Sequence, residues 1–379
     1  IMIDESVLDD VERMSAIDRS GMFAAVASSG AQMREAHAAC DRAALARVAD
    51  AGKPRAIIVA GMGGSGVSGD VLAAVAGPSS SLPLVVERTH HLPGWVSPID
   101  LVIAVSCSGS TEETLSVAQE AGRRGARLVT VGALGSPLAA VAEQVSGAVH
   151  LGIDAKGRMP RASLWTIATP LLMLADAIGV APVSDDDIMA TADLMDHVSV
   201  ESGLGVPLAD NQAKLLGLAV AESIPMLWGT GAIGRAVTGR FMAQLAENAK
   251  LPAVHGGLPE VGHNQIVAFD GPLAPAPADV FADPLETPAQ RQLHLVLLRD
   301  EAEHEAVAKR VAVIEDMVVQ RGLPMTELHA RGIHRLSRMA TLTALTDWAS
   351  VYAAVAMGVD PSPIGPIDRL KAGLAQERR

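Results

Sequence analysis

Aromatic residues are nearly missing from this chain: one tyrosine, four phenylalanines and four tryptophans make up 2% of its 379 residues. Nucleic-acid binding needs basic runs for the phosphates, and single strands also need aromatic rings to stack on. The sequence has neither. Its 43 acidic residues outweigh 30 basic ones, for a net charge of −13, a balance that repels nucleic acid and anionic membranes. Cysteine is equally scarce. Cys40 and Cys107 stand alone, outside any CxxC pair. One disulfide is the most they could form, and a reducing cytosol fits them better. Long hydrophobic runs are missing too. The longest, Leu164 to Val180, is short for a membrane span and carries Asp176, so it reads as a buried helix. The start, Ile1-Met2-Ile3-Asp4-Glu5, is acidic and has no signal-peptide pattern. The expectation is a cytoplasmic protein with no nucleic-acid or membrane partner.

What the chain has in abundance is alanine, valine, leucine and glycine. Small aliphatic residues at this density suit parallel sheets covered on both faces by helices. The length allows two domains, each with its own core. A helical region from about Ser6 to Asp50 precedes expected strands at Ala56–Ala60, Leu84–Val86, Leu101–Val105, Leu128–Val131 and Ala148–Leu151, with helices between them. Ser184 to Leu208 reads as the join between halves. Beyond it come expected strands at Ile224–Trp228, Gln265–Ala268 and Leu293–Leu298, and helices at Gly234–Asn248, Ala302–Gln320 and Gly332–Met357. Phe269 to Gln290 holds Pro272, Pro275, Pro277, Pro284 and Pro288, the mark of an insertion or surface loop. The fold class is therefore α/β, doubly wound and parallel, with residues 1–190 and 191–379 as its two domains.

The richest chemistry lies at Ser106-Cys107-Ser108-Gly109-Ser110-Thr111. An apolar strand ends there in four hydroxyls and a glycine, and a helix begins. Hydroxyls and free backbone N–H groups at a helix N-terminus make an anion site, most often for phosphate. A second glycine-rich loop, Gly61-Met62-Gly63-Gly64-Ser65-Gly66, satisfies G-x-G-x-x-G, and Glu87 lies where a dinucleotide fold places its ribose acid. An NAD-dependent enzyme is thus one reading. Two hydroxyl-bearing loops on one sheet favour the other, a sugar phosphate held at its phosphate by one loop and at its ring by the other. His90-His91, His329 and His334 lack metal-ligand spacing, so no metal is expected. Cys107 is read as a small filler rather than a nucleophile, although a helix N-terminus could lower its pKa.

Gly61 to Asp70 resembles the first glycine loop of sugar isomerase (SIS) domains, and Ser106 to Thr114 resembles their phosphate loop. Glu247-Asn248-Ala249-Lys250, Glu260 with His263-Asn264, and Asp360-Pro361-Ser362-Pro363 through Pro366-Ile367-Asp368-Arg369-Leu370-Lys371 extend the likeness. In this order they are similar to the bifunctional phosphoglucose/phosphomannose isomerases of archaea and some bacteria, from about Ala56 to Leu374. The resemblance implies two SIS-type α/β/α sandwiches with a C-terminal catalytic tail. It implies a cofactor-free, metal-free aldose–ketose isomerisation of a hexose 6-phosphate through a cis-enediolate. Glu247 would be the base. His263 and Lys371 would assist ring opening, and Arg161, in Met159-Pro160-Arg161-Ala162, would stabilise charge on the reacting oxygens. Ser106, Ser108 and Thr111 would hold phosphate, and Gly64 and Ser65 the sugar. A homodimer with a shared site is implied, the histidine coming from the partner in that family. The sequence departs from the family pattern at Ser68-Gly69, Cys107, Ala246 and Thr89–Pro93, which bears on specificity. A non-catalytic sugar-phosphate sensor on the same scaffold is the remaining alternative.

Overall fold

The computed structural model describes residues 3–275 and 291–377. Of the expected insertion, residues 276–290 with Pro277, Pro284 and Pro288 lie outside the described residues. The chain opens with α1 (Val11–Ile17), α2 (Met22–Ala27), α3 (Ser29–Ala39) and α4 (Arg42–Asp50). Asp10 and Asp41 cap α1 and α4 by accepting backbone N–H groups of the first turn. Next come β1 (Ile57–Ala60), α5 (Gly63–Ala76), β2 (Leu84–Glu87), β3 (Leu101–Ser106), α6 (Glu112–Arg124), β4 (Arg127–Ala133), α7 (Pro137–Gln144), β5 (Val149–Ile153) and α8 (Leu164–Ala177). The second half holds α9 (Asp185–Glu201), α10 (Gln212–Glu222), β6 (Ile224–Gly229), α11 (Gly231–Gln244), β7 (Val254–Gly257), β8 (Leu293–Arg299), α12 (Glu305–Arg321), β9 (Met325–His329), α13 (Arg335–Ala356) and α14 (Gly365–Glu377).

Among the described residues there are two sheets, ordered β2-β1-β3-β4-β5 and β7-β6-β8-β9, and every pairing is parallel. Strand alternation divides the cores. Ile57, Val59, Ile103 and Val105 of the first sheet, and Leu227, Val296 and Leu298 of the second, face one continuous core with α8, α11 and α13. Ile58, Val102 and Ala104 turn the other way, onto α6 and α7. Met226, Trp228, Leu295 and Leu297 turn onto α12. This is the period-2 rule acting on strands buried from both sides. Helix α8 is buried as expected of Leu164–Val180, and no helix among the described residues is long and apolar enough to cross a membrane.

One expected strand is corrected. Gln265–Ala268 belongs to a 3₁₀ turn, Gln265–Asp270. Ile266 and Phe269 pack against the second sheet three residues apart, a helical rather than strand spacing. Asn264 Oδ1 accepts the Gln265 N–H at 2.7 Å, and Trp228 Nε1 donates to Gln265 Oε1 at 2.8 Å. The edge position beside β6 is taken instead by β7. Residue 190 falls inside α9, whose capping box joins Ser184 and Asp187.

Candidate active site

Strand β3 ends at Ser106, and the chain then folds into a tight loop before α6. Gly109 takes φ +66°, and a Cβ there would collide with Ser136 Oγ, so glycine is required. Its carbonyl accepts the Leu138 N–H at 2.9 Å. Ser106 and Thr111 hydroxyls lie 2.8 Å apart, and those of Ser108 and Ser110 2.9 Å apart. Thr111 is the N-cap of α6 and makes no side-chain cap bond. The loop therefore presents a ring of hydroxyls at the positive end of a thirteen-residue helix. Cys107 is buried, and burial raises its thiol pKa, which removes the case for a nucleophile.

The glycine loop is tied directly to this ring: Ser65 Oγ accepts the Cys107 N–H at 3.1 Å. On its other side Gly64 lies against the backbone of Pro160 and Arg161, and a Cβ on it would meet Pro160 O at 2.9 Å. That contact brings Arg161 to the loop. Arg161 is 3% exposed, in a 3₁₀ turn, Pro160–Ala162. Its Nε donates to Asn248 Oδ1 at 2.8 Å, and one Nη donates to the carbonyls of Pro361 and Ser362, each at 2.9 Å. The other Nη stands 3.6 Å from Glu247 Oε2. Burial lowers the Arg161 pKa, and the Glu247 carboxylate opposes that shift.

Glu247 sits in a π-helical turn, Leu245–Ala249, that prolongs α11. Such turns push one residue outward, and the Glu247 side chain is 27% exposed while its neighbour Asn248 is buried. A buried polar chain holds this turn against the first half. Arg240 makes two bonds to Asp347, at 2.9 and 2.7 Å, and donates to the Arg161 carbonyl at 2.9 Å. Gln244 adds a bond to Asp347 at 3.1 Å. Asn248 Nδ2 donates to Ser350 Oγ, and Ser350 to the Asp347 carbonyl. The sequence reading does not mark Arg240 or Asp347, and it places Asn248 and Lys250 in the Glu247 motif without giving them a role. Asp347 had a legible signal, as the one carboxylate in the run that forms α13.

Gly64, Ser65, Ser106, Ser108, Thr111, Arg161 and Glu247 thus form one connected site across both halves. Among the described residues, neither His263 nor Lys371 bonds to it. His263 ends a 3₁₀ turn, Glu260–His263, and is exposed. With Leu258, Ile266, Val313, Ile314 and Met317 it lines an open apolar groove of about 410 Å³ beside α12. That groove lies on the α12 side of the second sheet, whereas α11, which leads into Glu247, packs on the opposite side. Lys371 is exposed on α14. No group of His, Cys, Asp or Glu among the described residues is placed to hold a metal ion.

Two family profiles match the chain: SIS domain over residues 52–173, and bacterial phospho-glucose isomerase C-terminal SIS domain over residues 209–374. A bifunctional phosphoglucose/phosphomannose isomerase of Caldicellulosiruptor bescii is 31% identical, over 84% of this chain and 89% of that one. Its namesake in Aquifex aeolicus is 28% identical over 84% and 90%. Among solved structures, a hypothetical protein of Thermus thermophilus superposes with a TM-score of 0.69 at 18% identity, covering 98% of this chain and 94% of that one. A glucose-6-phosphate isomerase like protein from the same organism gives 0.58 at 19%, covering 96% and 98%.

Proposed function

The chain belongs to the bifunctional phosphoglucose/phosphomannose isomerase family, and on that premise we propose that it converts glucose 6-phosphate and mannose 6-phosphate to fructose 6-phosphate and back. The observation that carries this reading is the pair Arg161–Glu247 at 3.6 Å, set beside a hydroxyl loop suited to phosphate. Ser106, Ser108, Thr111 and the α6 N-terminus anchor the phosphate. Gly64, whose missing side chain lets the glycine loop close against Pro160 and Arg161, and Ser65 contact the sugar.

Ring opening moves a proton from O1–H while O5 gains one, and His263 and Lys371 assist it. Glu247 then removes the C2 proton of the open aldose. The electron pair shifts to form a C1–C2 double bond, and negative charge develops on the oxygens. Arg161 stabilises that charge with the Nη that faces Glu247. The O2–H proton passes to O1, O2 becomes the carbonyl, and return of the carbon-bound proton to C1 completes the ketose. The first and second domains, residues 1–190 and 191–379, supply Arg161 and Glu247 respectively. His263 comes from the partner of a homodimer, a reading supported by its place across the second sheet from α11.

The two aldoses differ only at C2, and the cis-enediolate has lost that stereocentre. The purified protein should form fructose 6-phosphate from both in a coupled assay, undiminished by chelators. A kcat/KM ratio within about a hundredfold, on the order of 2.7 kcal/mol of discrimination, supports the dual substrate; a larger ratio leaves a single-substrate isomerase.

A further inference from the structure

Lys250 is the charged residue of this region that the proposed reaction leaves without a task. It follows the turn that carries Glu247, and its backbone is left-handed, with φ +57°. Side chains avoid that region, and glycine or asparagine would end the helix there at lower cost. The benefit must then come from the side chain. Its Nζ donates to the carbonyls of Glu247 at 2.9 Å, Asn248 at 3.1 Å, Asp360 at 3.1 Å and Pro361 at 3.3 Å. An ammonium has three N–H groups, so four carbonyls leave none for a ligand. Two of those carbonyls belong to the Glu247 turn and two to the segment that runs into α14. Arg161 grips the same segment through Pro361 and Ser362. Lys250 is exposed as a residue, but desolvation of its ammonium among these carbonyls lowers its pKa and the Arg161 charge adds to this, with Asp360 and Glu247 opposing. Beyond this root, α14 is exposed from Pro366 to Gly373, so little packing fixes its direction.

We propose that Lys250 is a positioning residue, a clasp that fixes the root of α14, and with it Lys371, against the Glu247 turn. The proposal rests on the roles given above to Glu247 and Lys371. It does not make Lys250 a substrate ligand.

The test uses the full chain with Lys250→Met, which removes the charge at similar length, and Lys250→Gly, which also relieves the left-handed backbone. Backbone amides of residues 360–370 should exchange with deuterium roughly tenfold faster in both variants, with both sheets as protected as before. Turnover of glucose 6-phosphate should fall roughly 10- to 100-fold while KM moves by less than about threefold. The double variant K250M/K371A should be no more than about threefold slower than the slower single variant, because both act through one element. Unchanged exchange at 360–370 overturns the clasp whatever the activity. Faster exchange with normal turnover, or losses that multiply in the double variant, overturns the positioning of Lys371. An inactive wild-type chain would sink the isomerase reading, and the exchange measurement would still decide the clasp.

Discussion

Arg161 commits its Nε and one Nη to three fixed acceptors and leaves the other Nη facing Glu247 at 3.6 Å. Two outcomes follow at this scale. Glu247→Gln keeps the shape and removes the carboxylate proposed as the base, so kcat should drop by roughly 10²–10⁴ while KM changes little; near-normal turnover in the coupled assay would assign the base elsewhere. Arg161→Lys replaces a planar fork by a point charge and leaves at least one buried acceptor unpaired. It should lower stability by about 1–3 kcal/mol and turnover with it, read by thermal melting beside kinetics. Glu247 and Arg161 were legible because each sits in a short motif with a family likeness. The partners of Arg240, Asp347 and Asn248 were not, because they lie 79 to 107 residues away, and no local pattern encodes a contact of that range.

At the scale of elements, the strands buried on both faces announced themselves as apolar runs, and β1, β3 and β8 fall within a residue or two of their expected positions. The edge strands β7 and β9 did not. Val254-His255-Gly256-Gly257 and Met325-Thr326-Glu327-Leu328-His329 are partly exposed and carry no sustained apolar signal. They become strands through their neighbours β6 and β8. Gln265–Ala268 shows the converse, three apolar residues in a row, Ile266 to Ala268, too short a run to tell a strand from a turn. The strand-to-helix loop after β3 was legible because hydroxyls, glycine and a helix start coincide in six residues. Replacing Ser108 and Thr111 together by alanine removes two of the proposed phosphate donors, each worth about 1.5–3 kcal/mol, so KM for hexose 6-phosphates should rise about 10²-fold or more. Affinity for the neutral hexoses, measured by calorimetry, should not move. Unchanged phosphosugar affinity would place the phosphate away from this loop.

For the molecule as a whole, the composition foretold two parallel α/β halves, but not how they meet. They share one core, into which α13 is buried along nearly its whole length, and α9 runs through the residue where the sequence suggested a division. Patterning tells which residues a helix buries and is silent on whether the partner face belongs to the same half. The same silence covers His263. The sequence supplies the histidine; only the fold puts it on the α12 side of the second sheet, away from α11 and the turn that follows it. If each site takes Glu247 from one chain and His263 from the other, two dead variants can repair each other. Glu247→Gln and His263→Ala should each be nearly inactive alone. In an equal mixture, unfolded and refolded together, half of the dimers are mixed. Each mixed dimer has one site with both residues intact and one with neither, so the mixture should recover about a quarter of wild-type activity. A histidine acting within its own chain gives no recovery, since every site in the mixture would then lack one of the two groups. Serial dilution of the wild-type chain supplies the second measurement, because specific activity should fall as dimers dissociate.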